Sequence, residues 1–143
     1  IKQSLKAFRN HFDLYPLWVC PMRLPMSLRK NGFVKPTEDE EMFVDLGAYG
    51  VPAAARRGEF EAVKSMRAVE EYVRDVKGFQ MLYADCYMSR EEFESMFDHT
   101  LYHRLRKELK AVDAFPEVYD KIVEPKLAKK NAGKMADGNK KTE

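Results

Sequence analysis

The chain has 143 residues and a net charge of +2 at pH 7, with 45% hydrophobic and 34% charged residues. This length and composition suit one globular domain with a modest core, with or without a tail. The last eighteen residues carry six Lys against Asp137 and Glu143, so the rest of the chain is slightly acidic. Because a nucleic-acid interface needs Lys and Arg gathered on a folded face, the sequence gives no indication of nucleic-acid binding.

The start of the chain and its cysteines indicate its context. Residue 1 is Ile, and a helical pattern is under way by Leu5 and Phe8, so we expect a segment of a larger protein. No apolar run of about 18 residues and no signal pattern occurs, so we expect this segment to be soluble, with no membrane span or targeting signal of its own. Cys20 and Cys86 stand 66 positions apart and are expected to be reduced thiols.

The first quarter of the chain combines a helix, a strand and a long loop. Helical spacing of apolar residues predicts an amphipathic helix over residues 2–11. The stretch from Leu14 to Cys20 is rich in strand-forming residues and predicts a strand. Breakers then interrupt every regular pattern and predict a loop of about twenty residues, long enough to be functional, marked by Pro21, Pro25, Asn31-Gly32 and Pro36.

The middle of the chain predicts two further strands around a helix. Alternate positions from Met42 to Tyr49 give two distinct faces, which is typical of a strand. One face holds Met42, Val44, Leu46 and Ala48, and the other holds Phe43, Asp45, Gly47 and Tyr49. An apolar stripe then predicts a helix from about residue 59 to 77, closed by Gly78 in a left-handed conformation. Alternation resumes from Phe79 to Tyr87 and predicts a third strand.

The last third of the chain predicts short helices. Ser89 and Glu92 form a capping-box pattern that opens a helix with Phe93, Met96 and Phe97 on its apolar side. A second helix follows Asp98 or Thr100, and a third begins near Pro116, whose ring suits a first helical turn. Their apolar positions are Leu101, Leu105 and Leu109, and then Val118, Tyr119 and Ile122.

This order of elements predicts an α+β fold in which a small antiparallel sheet of about three strands is covered by helices. Residues 1–124 form the folded region, and residues 125–143 are expected to be a Lys-rich disordered tail. A sheet this small gains stability from neighbouring strands, so we expect the region to depend on upstream sequence.

Motifs for nucleotide or metal binding are missing. No G-x-G-x-x-G or G-x-x-x-x-G-K-[ST] pattern occurs, so the chain offers no cradle for nucleotide phosphates. His99 and His103 stand four apart but lack a third ligand, and we interpret them as solvated histidines rather than metal ligands. Cys86 has no activating His and is interpreted as a buried thiol.

Two strand faces mix aromatic side chains with a carboxylate, as a core face would not. One holds Phe43, Asp45 and Tyr49, and the other holds Phe79, Met81, Tyr83, Asp85 and Tyr87. These faces are either partly solvated, with each Asp pairing locally, or they form an apolar pocket wall whose few polar groups can donate a proton. The sequence alone leaves both interpretations open.

Several longer strings resemble the C-terminal region of the delta(24)-sterol reductase family, a group of FAD-linked oxidases of the vanillyl-alcohol-oxidase type. They run in consistent order over roughly residues 5–124: YPLWVCP from Tyr15, DLGAYG from Asp45, GFQMLYADCY from Gly78, REEFESMFD from Arg90, LYHRLRKEL from Leu101 and DAFPEVYDKI from Asp113. The resemblance does not extend to the loop from Arg23 to Glu41, to residues 51–58 or to the tail.

The resemblance implies a reductase of the double bond in sterol side chains, with FAD held by an upstream domain and NADPH as the reductant. It implies attachment to the endoplasmic reticulum membrane through an N-terminal region outside this chain. The chain would be the substrate-side cap, with no cofactor-binding residue of its own. We expect the segment alone to be inactive, because its cofactor domain is missing.

An isolated alkene accepts hydride only when a proton is delivered to its less substituted carbon, so the cap must supply a dry slot and a proton donor. On the resemblance and the strand alternation, we expect Tyr83 to be this donor, with Asp85 as a second catalytic candidate. The expected substrate-binding residues are Trp18, Asp45, Tyr49 and Tyr87.

Two alternative functions remain at this point. A relative of the same superfamily could act on an alcohol or a lactone, because fold alone does not fix the reaction. The region could also be a docking module, with its helices between residues 89 and 123 bound to the FAD domain and its aromatic face serving as a protein interface.

Overall fold

The computed structural model describes residues 1–25 and 40–125. These residues form two strands and six helices, which confirms the α+β class. In chain order they are α1 (Lys2–His11), β1 (Leu17–Pro25), β2 (Glu40–Ala48), α2 (Ala53–Arg56), α3 (Ala62–Asp75), α4 (Arg90–Met96), α5 (Thr100–Glu108) and α6 (Val118–Ile122). The breakers at residues 31, 32 and 36 and the Lys-rich tail beyond residue 125 lie outside the described residues.

The sheet is an antiparallel pair whose register runs from Leu17 opposite Ala48 to Pro25 opposite Glu40. Strand β2 matches the predicted strand closely, but β1 continues through Pro21 and Pro25, where the sequence predicted a loop. Within the described residues β1 pairs on one side only, so every second N–H along it needs no partner. Prolines spaced four residues apart can both occupy such positions without losing a ladder hydrogen bond.

The predicted third strand, Phe79 to Tyr87, is wrong. Residues 82–84 form a turn, and only Cys86 makes a bridge, parallel to Val123 at the end of α6. The backbone of this segment finds other partners: the Cys86 N–H donates to the Ile122 carbonyl at 2.8 Å, and the Gln80 N–H donates to the Met96 sulfur at 3.4 Å. The alternating pattern therefore does not indicate a strand. It belongs to a connection that packs some of its side chains against helices.

Helix α3 ends at Asp75, before the predicted end near residue 77, in a Schellman motif whose left-handed residue is one position earlier than predicted. Lys77, with φ 56°, takes the left-handed conformation that the sequence assigned to Gly78. The Gly78 N–H donates to the Val73 carbonyl at 2.8 Å, and the Lys77 N–H donates to the Arg74 carbonyl at 2.9 Å. A Cβ at Gly78 would lie 3.3 Å from that Val73 oxygen, so the closeness of the turn favours Gly there.

The core lies between α4, α6 and the connection before α4. Its buried side chains are Cys86, Met88, Phe93, Met96, Phe97, Tyr119 and Val123. The predicted capping box is confirmed, because the Ser89 and Glu92 side chains each bond the backbone of the other. The Tyr119 hydroxyl donates to the Met88 carbonyl at 2.9 Å, which satisfies the one polar group at the centre of this cluster. The helix after Pro116 is also confirmed, although it begins at Val118.

One carboxylate joins α3 to α4. Glu92 accepts two hydrogen bonds from the Arg67 guanidinium, at 2.6 and 2.7 Å, and a third from Arg74 at 3.0 Å. These bonds, the one with Arg67 above all, lower the pKa of Glu92 to about 2. Since both arginines belong to α3 and Glu92 belongs to α4, the network fixes the angle between the two helices.

The Glu92 network predicts acid sensitivity. A group with a lowered folded pKa contributes stability above its unfolded value near 4.5, and this contribution is lost as the pH falls toward 2. We expect Glu92→Gln to lower the free energy of unfolding by about 2 kcal/mol at pH 7. The difference from the wild type should shrink between pH 5 and pH 2, as measured by denaturant unfolding.

Glu108→Gln is the matched control, because Glu108 pairs with Arg104 at 3.7 Å on an exposed helix face. Such a surface pair contributes about 0.5 kcal/mol or less, so its loss should change little at any pH. Equal and pH-independent effects of the two substitutions would contradict the role assigned to Glu92.

Candidate functional site

An open cleft of about 520 Å³ lies between the β1–β2 pair, α1, α3 and the connection after α3. This volume falls in the usual range for sites that bind small molecules. Its walls are mainly aromatic and aliphatic, with side chains from every one of these elements, including Phe8, Phe12, Phe43, Phe60, Val73 and Phe79. The cleft can therefore hold an apolar ligand.

Aromatic contacts hold the walls of the cleft together. The Phe43 ring of β2 meets the Phe79 ring edge to face, with centroids 5.4 Å apart. Phe12 at the end of α1 packs against Phe60 just before α3, with centroids 6.2 Å apart. A hydrogen bond of 3.0 Å between the Ser4 and Tyr72 hydroxyls also ties α1 to α3. Edge-to-face and tilted ring pairs of this kind stabilise a fixed wall geometry.

Three of the six predicted site residues line this cleft: Asp45, Tyr49 and Tyr83. Tyr83 is 76% exposed. A hydrogen bond with the Tyr49 side chain raises the pKa of Tyr83, and the negative charge of Asp45 acts in the same direction. The three residues thus form one polar group at the open side of the cleft, and the Tyr83 phenol is a weaker acid than a free tyrosine.

The other three predicted residues, Trp18, Asp85 and Tyr87, are not among the lining residues. The shared face predicted for Tyr83, Asp85 and Tyr87 is wrong, because their segment turns instead of forming a strand. Asp85 is exposed, and its backbone carbonyl accepts a hydrogen bond from the Gln80 side-chain amide at 3.2 Å. Tyr87 is held through its backbone, whose carbonyl accepts from Arg67 at 3.0 Å.

Trp18 stands on β1 opposite Gly47, outside the lining, and is 58% exposed. A Cβ at Gly47 would lie 3.1 Å from the Tyr49 ring and 3.3 Å from the Trp18 Cβ. Because Gly47 has no side chain, the Tyr49 ring can lie against the β1–β2 pair at this position. Trp18 and Tyr49 flank this glycine, Tyr49 within the lining of the cleft and Trp18 outside it.

Glu70 is a charged residue of the cleft that the sequence did not predict as part of a site. Glu70 lines the cleft from α3 and is only 3% exposed. Its Oε1 accepts a hydrogen bond from the Tyr87 N–H at 2.7 Å, and burial raises the pKa of its carboxyl group. A signal was present, since Glu70 lies four residues after Met66 and three before Val73, on the apolar stripe of its helix.

The described residues contain neither a metal-ligating group of three side chains nor a long apolar helix. No group of three or more His, Cys, Asp or Glu side chains in residues 1–25 and 40–125 is arranged to hold a metal ion. Over the same ranges, every helix is too short or too polar to cross a bilayer. Cys86 is fully buried, and burial raises the pKa of its thiol to about 11.

Comparison with known proteins shows strong sequence similarity to one group. The chain is 56% identical over 123 residues to the delta(24)-sterol reductase of Rattus norvegicus, a match that covers 85% of this chain and 23% of that protein. It is 40% identical to the delta(24)-sterol reductase homolog of Caenorhabditis elegans over the same share of the chain and 22% of that protein. It is 29% identical to the delta(24)-sterol reductase of Arabidopsis thaliana over 133 residues, with 85% and 24% covered.

No protein-family model and no solved structure matches the chain. The chain spans about a quarter of the length of the curated relatives it matches. Two animal relatives at 56% and 40% identity nevertheless match along most of this chain. By its sequence, the chain is therefore similar to one part, about a quarter, of these delta(24)-sterol reductases.

Proposed function

We propose that the chain is the substrate-facing segment of an enzyme that reduces the Δ24 double bond of sterol side chains. The observation that carries this proposal is the open apolar cleft in a chain whose relatives are named delta(24)-sterol reductases. A sterol side chain is a branched hydrocarbon, and burial in an apolar cleft favours its binding by about 25 cal/mol per Å² of surface removed from water.

The proposed cofactors are FAD and NADPH, both held mainly outside this chain, with FAD on an upstream domain. The sequence has no glycine-rich phosphate cradle, so a dinucleotide has no anchor here. Because the cleft is open, a flavin held by another part of the protein could meet a sterol bound there. We place the whole protein at the endoplasmic reticulum membrane, attached through its N-terminal region, on the family resemblance alone.

The proposed roles of the site residues follow from their positions. Asp45, Tyr49 and Tyr83 form the polar edge of the cleft and would contact the bound ligand there. Trp18 and Tyr87 lie outside the cleft and could reach the ligand only when the rest of the protein is in place. Proton donation by Tyr83 or Asp85 stays a prediction: Tyr83 is exposed and its pKa is raised, and Asp85 is not among the lining residues.

A docking role is the second candidate, and a specific surface favours it. The end of α5 and the loop after it expose several apolar side chains. One of them, Leu109, belongs to the apolar positions that the sequence predicts for this helix. Leu109 is 73% exposed and Phe115 is 67% exposed, with Val112 between them. Clustered exposed side chains of this size are typical of a surface that meets another part of the protein.

The reductase proposal predicts the following result with the whole protein purified with its flavin. NADPH should be consumed when a sterol with a Δ24 side-chain double bond is added, and the product should carry two additional hydrogens by mass spectrometry. The same sterol with a saturated side chain is the control and should cause no consumption. Oxidation of an added alcohol or lactone, with no change in the Δ24 sterol, would overturn the proposal in favour of another reaction of the superfamily.

Tyr83→Phe in the whole protein should separate ligand contact from proton donation. We expect the KM for the sterol to rise and kcat to stay within about tenfold, because the exposed phenol lies at the edge of the cleft. General acid catalysis contributes roughly 10²- to 10⁴-fold, so a fall in kcat of that size would make Tyr83 the donor instead. Tyr15→Phe, at an exposed position outside the cleft, is the control.

The docking surface predicts a difference between two exposed apolar positions. In the whole protein, Leu109→Ser should lower the melting temperature by several degrees more than Val63→Ser, if the surface around Leu109 is covered there. Both side chains are more than half exposed in this chain, so their environments here are comparable. Equal, small effects measured by thermal unfolding would mean that the surface stays in water.

A further inference from the structure

We propose that Glu70 is the proton donor of the reaction, an inference that rests on the reductase function proposed above. The geometry points to this residue for three reasons. Glu70 lines the apolar cleft, it is almost completely buried, and one of its carboxyl oxygens has no hydrogen-bond partner. A buried carboxyl group beside an apolar site, with one oxygen that makes no hydrogen bond, can hold a transferable proton there.

The two oxygens of Glu70 have different surroundings. Oε1 accepts the Tyr87 N–H at 2.7 Å, which fixes the orientation of the carboxyl group. Oε2 makes no hydrogen bond, and its nearest cation is the Arg67 guanidinium at 3.7 Å, beyond hydrogen-bond distance. The natural position for the proton is therefore Oε2, while Oε1 keeps the group in place.

The charges around Glu70 leave it without a full ion pair. Both terminal nitrogens of Arg67 donate to Glu92, at 2.6 and 2.7 Å, and Arg74 donates to Glu92 from Nη2, while Arg74 Nη1 has no hydrogen-bond partner. The connection before α4 contributes the Tyr87 N–H and the fully buried Cys86 thiol. Burial outweighs the attraction of Arg67 and Arg74, so the pKa of Glu70 is raised above its ordinary value.

The step balances with Glu70 as the acid. The Oε2–H bond breaks as its proton forms a C–H bond at the less substituted carbon of the alkene, whose π electrons make that bond. A reduced flavin, when bound by the rest of the protein, supplies the hydride that the neighbouring tertiary carbon accepts. The C=C bond becomes a C–C bond with one hydrogen added to each carbon, and the Glu70 carboxylate regains a proton from water.

The alternative is that Glu70 has only a structural role, accepting the hydrogen bond from the Tyr87 N–H. Glu70→Gln tests this, because the glutamine Oε1 can accept the same N–H while the group loses its acidic proton. In the flavin-loaded whole protein, we expect kcat for a Δ24 sterol to fall by about 100-fold or more. Sterol affinity of the oxidised enzyme, measured without turnover, should stay within about threefold. Glu70→Asp keeps an acid and should retain more activity than Glu70→Gln.

Glu71→Gln, on the exposed side of the same helix, is the control and should keep wild-type turnover. If the wild type is active and Glu70→Gln keeps full activity, the role of Glu70 is overturned and the reductase proposal stands. A wild type that leaves Δ24 sterols unchanged would overturn both. Loss of sterol binding in Glu70→Gln would make the residue structural and overturn its role as the donor.

A second readout does not depend on turnover. If Glu70 is a neutral acid with a raised pKa, the folded wild type holds an additional proton above pH 4.5 and loses stability as the pH rises through the folded pKa. Glu70→Gln lacks this loss, so its melting temperature relative to the wild type should rise with pH. The opposite trend would mean that Glu70 is an ionised partner of Arg67, and would overturn the proposal.

Discussion

The bond between Glu92 and the two arginines of α3 is the constraint on which the rest of the structure depends. Glu92 closes the first turn of α4 through its capping box and at the same time binds Arg67 and Arg74. It thereby fixes the helix that forms the core against the helix that forms one wall of the cleft. The same carboxylate takes hydrogen bonds from both arginines and leaves Arg67 3.7 Å from Glu70, so it influences both the helix pair and the charge around the buried acid of the cleft.

Local signals were enough to predict most of the fold. The capping box at Ser89, the alternation in β2 and the apolar stripe of α3 each depend on neighbouring residues, and the structure confirms all three. The third strand failed because alternation reports burial, whereas a strand also requires a partner for its backbone. Residues 79–87 bond instead to Met96, Ile122 and Glu124, which sequence spacing does not bring together.

The candidate site was predictable in part. Asp45, Tyr49 and Tyr83 were found because aromatic residues beside a carboxylate are unusual on a core face, and the structure brings them to one edge of the cleft. Asp85 and Tyr87 were grouped with them through a strand that does not form. Glu70 was missed because a charged residue within a helix usually faces water, and its burial depends on contacts with Tyr87 and the cleft that only the three-dimensional structure shows.

The unpaired outer edges of the β1–β2 pair have a practical consequence for experiments with this chain. Strands β1 and β2 pair only with each other in the described part of the chain, so each has an outer row of N–H and C=O groups that no strand there satisfies. Such rows are templates for another strand, and in an isolated segment the nearest candidate is a second copy of the same molecule. The boundaries of any expressed piece should be placed so that both outer rows are covered; otherwise self-association will compete with ligand binding in every assay.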